Sequence, residues 1–221
     1  MSVQSNGLRY TYGWLRHIYL IGLLQQVLND RITGHFVTMD IGSSYGTFPC
    51  IFKKEYTDSH HVLVDFSEQL LLAYYFLSIC FPEARIAGAR ELSTTESISR
   101  DFVEQYDFVL VPCMLYPRLA SRSIDLVANF SSFGEMSRQW FEFYTQSAVF
   151  QTAKYFFTAN RIQSYPAYDS DLTILDYPIW NPEKRIHFAL SRFRSHHYVR
   201  RYMFFYERWP DAPVFEYIGE I

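Results

Sequence analysis

VTMDIGSSYGTF, residues 37–48, is the stretch on which the reading of the fold turns. A β-prone run leads into Asp40. Gly42 and Gly46 follow, with Ser43, Ser44 and Tyr45 between them, and an apolar run resumes at Phe48. Glycine tolerates left-handed backbone and lets other groups approach closely. The segment is therefore either a plain strand-to-helix turn or a loop shaped so that a ligand can touch backbone.

Outward from this loop, short β-rich runs alternate with longer helical ones. HFVTMDI predicts a strand and TFPCIFKKEY the helix after it, with Pro49 near the helix start, where proline is tolerated. HHVLVDF is a second strand that ends in Asp65, nineteen residues after Gly46. Ser67 is the expected cap of SEQLLLAYYFLSICF, which is apolar almost all round and stops before Pro82. Such a helix is expected to be buried or covered by another element. YDFVLVP, SIDLVANF and AKYFFTANR predict strands, and ARIAG a weaker one; either ARIAG or YDFVLVP takes the third place in the core order. ARELSTTESISRDFVEQ reads as a loop with a helical end, and SRQWFEFYTQSAVF as an aromatic helix that starts at Ser137. RIHFALSRF and YVRRYMFFYERW, in succession, predict an antiparallel hairpin at a sheet edge.

This alternation gives an α/β class: a Rossmann-like, doubly wound, mostly parallel sheet covered on both faces, with a C-terminal antiparallel hairpin. Residues 1–33 are expected to form an N-terminal helical segment packing on the core, and residues 34–221 a single Rossmann-like domain. A chain of 221 residues can bury a substantial core. Its 49% hydrophobic content, 20 Phe and 18 Tyr argue against disorder. A net charge of −3 excludes a protein built as a whole to coat nucleic acid. Cys50, Cys80 and Cys113 lack metal-ligand spacing and predict a reduced, cytoplasmic setting. WLRHIYLIGLLQQVL (residues 14–28) is interrupted by Arg16, His17, Gln25 and Gln26. Its apolar run falls short of the ~20 residues a bilayer span needs, so no transmembrane segment is expected. Leu15, Ile18, Ile21, Leu24 and Leu28 recur at helical spacing, which predicts an amphipathic helix packed on the domain.

In a doubly wound sheet, ligands bind outside the carboxyl ends of the strands, where the strand order reverses. A dinucleotide fingerprint needs Gly-x-Gly-x-x-Gly, and here only Gly42 and Gly46 are glycine. Asp40 would repel a pyrophosphate. An acid beside the loop suits a cofactor with a positively charged amino-acid end and no phosphate, which describes S-adenosylmethionine. Asp65 sits where a carboxylate accepts both hydroxyls of a ribose.

VTMDIGSSYGTF, HVLVDFSEQLLLAYYFLS, YDFVLVPCMLY, SIDLVANFSSFGEM and YFFTANR occur in an order that resembles the sugar O-methyltransferase family. These are class I S-adenosylmethionine-dependent enzymes of bacterial polysaccharide or glycan gene sets. The resemblance spans Phe36 to Arg161 and, more loosely, LDYPIW from Leu175 to Trp180. It implies the class I methyltransferase fold, S-adenosylmethionine as cofactor, and a sugar or glycan-like acceptor. By this resemblance Asp40, Gly42, Ser44 and Gly46 line the methionine end, with Ser43 and Tyr45 in the same loop, and Asp65 holds the ribose beside Phe66. Ser44 departs from the middle glycine common in class I enzymes.

Methyl transfer to a hydroxyl requires a positioned acceptor and removal of its proton. Glu135 in SSFGEM is the candidate base; the alternative is an acid that favours the N-terminus of the next helix. Asn129, beside Phe130, could hydrogen-bond the amino-acid portion, and Pro112 and Cys113 could border the adenine. Asp125 opens its strand and is expected to be structural. Neither His60–His61 nor His196–His197 makes a two-ligand metal site, because neighbours on a strand face opposite ways. No metal is specified, and His187 reads as structural. Seven of the twenty basic residues lie between Lys184 and Arg208, interleaved with aromatics. This fits a charged edge hairpin better than a nucleic-acid surface. The alternatives are methylation of another small molecule or RNA, and a non-catalytic Rossmann-like binding module.

Overall fold

The computed structural model describes residues 2–5, 8–164, 170–193, 199–202, 205–208 and 213–221. An antiparallel pair, β1 (Ser2–Ser5) and β2 (Leu8–Thr11), leads into helix α1 (Tyr12–Leu28). Thr11 caps this helix, its hydroxyl accepting the Trp14 N–H at 3.4 Å. Alternating strands and helices follow: β3 (Val37–Ile41), α2 (Thr47–Glu55), β4 (His60–Asp65) and α3 (Ser67–Cys80). A short strand β5 (Ile86–Ala87), helices α4 (Ala89–Ser93) and α5 (Arg100–Val103), and β6 (Phe108–Pro112) come next. Then come β7 (Leu126–Phe130), α6 (Arg138–Thr145), α7 (Ala148–Gln151) and β8 (Tyr155–Arg161). The C-terminal part holds β9 (Arg185–Leu190), β10 (Val199–Tyr202), β11 (Phe205–Arg208) and β12 (Val214–Glu220).

Eight strands form one sheet in the order β5-β6-β4-β3-β7-β8-β12-β9. The six strands from β5 to β8 are parallel, and β12 runs antiparallel to both β8 and β9. Strands buried on both faces favour apolar residues, and the central strands are rich in Val, Leu and Phe, with Thr38, Asp40, His61 and Asn129 among their buried polar residues. Their alternation sends Met39, Val62, Val109 and Val127 to one face, against Phe133, Phe141 and Tyr177. On the opposite face Leu126, Ala128 and Phe157 meet Leu20 and Leu24 of α1 and Phe48 and Phe52 of α2. Leu63 and Leu110 meet Leu70, Ala73 and Leu77 of α3. No helix among the described residues is long and apolar enough to cross a membrane.

The sheet assigns the third place in the core order to YDFVLVP. β6 pairs with β4, and β5 lies outside it as a two-residue edge. The C-terminal expectation needs correction in its pairing. RIHFAL does not pair with the run after it; VFEYIGE inserts as β12 between β8 and β9. Among the described residues β10 and β11 pair only with each other, and His196–His197 lie outside the described residues. Ser67 is not the cap of α3: Phe66 holds that position, and its N–H donates to the Asp65 carboxylate at 2.7 Å. The outer face of α3 is left uncovered among the described residues, with Leu71 70% and Tyr75 68% exposed. The aromatic helix from Ser137 breaks after Thr145, and Ser147 starts α7 by accepting the Phe150 N–H.

Asp125 braces the amino-terminal ends of the central strands, as its position implies. Its carboxylate accepts the Val37 N–H and Arg100, both at 2.9 Å, and forms an ion pair with Lys154 at 2.6 Å. Burial pushes this carboxyl up, but the three donors outweigh burial and hold it below the usual carboxylate range. A depressed folded-state value stabilises the fold above the unfolded-state value, and that contribution is lost as pH falls through the folded one. We expect Asp125→Ala to lower unfolding free energy by about 3 kcal/mol at neutral pH, measured by urea unfolding. The deficit relative to the wild type should shrink towards acidic pH.

Candidate functional site

The strand order reverses between β3 and β7, so the loops after these strands leave in opposite directions and open a crevice. A cavity of about 610 Å³ lies there, with Gly42, Ser44, Asp65, Phe66, Ser132 and Glu135 on its wall. That volume is in the range of small-molecule sites. Gln69, Cys113, Met136, Ser137, Trp140 and Tyr144 complete the wall.

The glycine loop is held from both sides. The Gly42 N–H donates to the Val64 carbonyl at 2.8 Å, and the Ser44 N–H donates to the Asp65 carboxylate at 2.6 Å. Asp65 therefore grips the loop with one oxygen and the Phe66 N–H with the other. Burial raises the Asp65 carboxyl, and the two backbone donors partly offset this. Gly42 and Gly46 have φ of 73° and 86°, the left-handed region that glycine enters without penalty. A Cβ on Gly42 would overlap the Ser132 side chain, so the two loops pack in direct contact. Two serines at the site also hold left-handed backbone, Ser44 at φ 51° and Ser131 at φ 73°. Non-glycine residues seldom do so, and such strain gathers at functional sites.

Asp40 is only 4% exposed and accepts no hydrogen bond from the described residues. Burial, then the charge of Asp65, pushes its carboxyl well above the usual range, and Arg16 offsets this only in part. Arg16 comes from α1 and donates to the Ser131 hydroxyl at 2.8 Å, 115 residues away in sequence. Its Nε is buried without an acceptor. Burial lowers the Arg16 value, and its charged neighbours are Glu135, Arg161 and Asp40. His17 beside it is held neutral by burial and by the Arg16 charge, pulled down to about 3. Glu135 lies at the end of a single 3-10 turn, Phe133–Glu135, and pairs with Arg161 at 3.0 Å.

The other expected residues divide between loop, buried hydrogen-bond network and core. Ser43 is buried with its hydroxyl unpartnered, and Tyr45 turns away to pack edge-on against Phe76 at 5.3 Å. Gly46 caps α2 behind the loop. Asn129 is fully buried. Its amide donates to the Ile41 carbonyl and the Ser132 hydroxyl and accepts from the Phe133 N–H and Asn160. Phe130 packs against Phe48 and Phe157, both at 4.9 Å. Pro112 borders a second cavity of about 440 Å³ between α3 and α4. His60 and His61 sit at the opposite end of the sheet, bonded to Tyr106 and to Thr38 and Ser59 respectively. Among the described residues no group of His, Cys, Asp or Glu could hold a metal ion.

Sequence reasoning passed over Arg16, Ser132, Trp140, Tyr144 and Arg161. Arg16 did carry a signal, the one Lys or Arg on a largely apolar helix. Tyr144 carried none, since a tyrosine in an aromatic helix reads as core.

No protein-family model matches the sequence, and no curated protein matches it. Solved structures do match. The methyltransferase domain of bacterial CtHen1-CN aligns over 96% of this chain and 100% of its own, with 11% identity and a TM-score of 0.55. Precorrin-6y C5,15-methyltransferase from Geobacter metallireducens aligns over 92% and 86%, with 11% identity and a TM-score of 0.50. The match to YjhP from E. coli covers 66% of this chain, has 13% identity and a TM-score of 0.42, and spans about half (49%) of that protein. With its mostly parallel eight-stranded sheet and antiparallel C-terminal strands, the chain has the class I methyltransferase fold.

Proposed function

We propose that this protein is an S-adenosylmethionine-dependent O-methyltransferase that acts on a hydroxyl of a sugar or glycan-like acceptor. One observation carries the cofactor reading: Asp65, at the end of the second core strand, grips the glycine loop at the wall of the switch-point cavity. Each carboxylate oxygen accepts one backbone N–H there, which leaves lone pairs for two ribose hydroxyls. Phe66 is 67% exposed beside it and offers a flat face to a purine. Asp40, buried and without a donor among the described residues, suits an ammonium group and disfavours a phosphate. These residues fit the cofactor, which supplies, when bound, a methyl group already activated on sulfur.

The chain's own share of the chemistry is placement and proton removal. Glu135 lines the cavity as a carboxylate oriented by Arg161, and in this reading it takes the acceptor hydroxyl proton as the new bond forms. The sugar half of the reading rests on the sequence resemblance. Trp140, half-exposed on the cavity wall, adds an aromatic face of the kind that sugar rings pack against.

Calorimetry should show saturable binding of S-adenosylhomocysteine and none of NAD; the reverse result would overturn the reading. Radiolabelled methyl transfer across a panel of glycans and RNAs should label a sugar hydroxyl. Glu135→Gln should lower kcat by about 100-fold or more and leave S-adenosylhomocysteine affinity within about twofold. Full turnover in that variant would remove Glu135 from consideration. Gly42→Ala places a Cβ against Ser132 in a left-handed position. It should cost about 2 kcal/mol of stability by thermal unfolding and abolish nucleoside binding.

A further inference from the structure

Helix α3 is apolar on both sides, and only one side is covered among the described residues. Leu70, Ala73 and Leu77 pack on Leu63 and Leu110 of the sheet. The opposite side carries Leu71, Leu72, Tyr75 and Ile79, which are 70%, 55%, 68% and 60% exposed. With Glu68 at the helix start, these four fall within a stripe about 100° wide. Glu68, Leu72, Tyr75 and Ile79 follow one another at spacings of four, three and four residues, the rhythm of a seam that packs against a second helix. On the flank of the stripe, Leu71 and Tyr74 also line the cavity of about 440 Å³, whose far wall is Gly88, Ala89 and Arg90 at the start of α4. An apolar ridge and a recess therefore lie side by side on one surface.

Extent and charge narrow what covers this surface. With Tyr74 included, the stripe leaves about 700 Å² open to solvent, more than the largest apolar patch of a typical monomer. Two such faces brought together would remove about 1,400 Å², within the range of stable protein–protein interfaces. α3 carries no Lys or Arg, so nothing along it attracts an anionic lipid surface. Its single charge, Glu68, stands at one end. At the other end the exposed Lys54 lies over the Phe81 ring, 5.9 Å from its centroid. A face with an acid at one end and a base at the other is complementary to itself when turned end for end, as a two-fold contact requires. The ridge beside its recess meets the same requirement in shape.

We propose that the outer face of α3 binds a second copy of this chain, the two helices packing antiparallel about a two-fold axis. The axis passes between Leu72 and Tyr75, so that Tyr75 of one copy meets Leu72 of the other. Glu68 of one copy then comes to the end of α3 that carries Lys54 in the other, whereas a parallel pairing would set the two Glu68 carboxylates side by side. α3 begins directly after Asp65 and Phe66 and presents Gln69 to the switch-point cavity, so the contact runs along a helix whose start is one wall of the candidate site. Dimerisation through α3 is independent of which ligand that site takes.

Analytical ultracentrifugation of the full chain at about 10 μM should give twice the chain mass. Leu72→Glu and Tyr75→Glu should each raise the dimer dissociation constant by about 100-fold or more, with folding checked by circular dichroism melting. The double variant Leu72→Ala with Tyr75→Ala keeps helix propensity and should act in the same direction if either charge unfolds the helix. Leu175→Glu, at a leucine 74% exposed outside α3, is the control and should change the constant by less than about twofold. Glu68→Lys should weaken association by about fivefold, and adding Lys54→Glu should recover most of the loss. A wild type that is monomeric at about 100 μM overturns the proposal, as does a dimer that survives the Leu72 and Tyr75 variants. A monomer that binds phosphatidylcholine vesicles, and loses them in Tyr75→Glu, gives the face to lipid and overturns it as well. A charge-swapped variant weaker than Glu68→Lys alone overturns the antiparallel arrangement.

Discussion

The buried amide of Asn129 is the interaction on which the carboxyl edge of the sheet depends. Where the order reverses, β3 and β7 are neighbours whose loops depart in opposite directions, so the backbone groups at their ends lose their ladder partners. Asn129 replaces those partners. It donates to the Ile41 carbonyl at 2.7 Å and to the Ser132 hydroxyl, and it accepts from Asn160 at 2.8 Å and the Phe133 N–H at 3.2 Å. Both amide hydrogens and the amide oxygen are committed, and none is left for a ligand. The same residue that reads as a ligand contact from its position is thus the brace that lets Ser132 close onto Gly42. Thr158 and Asn160 on β8 extend the brace to a third strand end. A polar network buried this deeply rigidifies what surrounds it because every member is paired.

The two ends of the sheet use the same residue type in opposite ways. Asp125, at the amino end, has three donors, two of them cations, and its carboxyl is held low. Asp40, at the carboxyl end, is buried nearly as deeply, has no donor among the described residues, and its carboxyl is pushed high. Burial acts on both in the same sense; the difference lies in what the neighbouring elements supply. The first arrangement is complete and stabilises the fold. The second lacks a donor among the described residues, and burial is left to raise the carboxyl.

Much of the fold was written in local pattern. The near-continuous apolar runs at Val37, His61 and Phe108 identify buried parallel strands, and the 3.6-residue recurrence from Leu15 to Leu28 identifies α1. The glycine loop and Asp65 were readable as neighbours at the carboxyl ends of their strands, where they line one cavity, because the turn and the strand end are each encoded within a few residues. The edge of the sheet was not. VFEYIGE is a good strand by composition, yet nothing local says that it inserts between YFFTANR and RIHFAL, so the adjacent runs were paired with each other. The outer face of α3 misled in a different way. Leu71, Leu72 and Ile79 are as apolar as the buried Leu70 and Leu77, and hydropathy cannot tell a covered face from an uncovered one.

The sequence by itself therefore determined the α/β class, the place of the loop, and the two acids that flank it. The tertiary structure alone decided what converges on them. Arg16 reaches Ser131 across 115 residues, Tyr144 and Trp140 come from a helix that reads as core, and Arg161 orients Glu135 from the far end of β8. Periodicity records which face of an element is buried, because burial repeats along the chain. Convergence depends on the crossovers that bring distant strand ends together, and it leaves no repeating trace in the residues themselves.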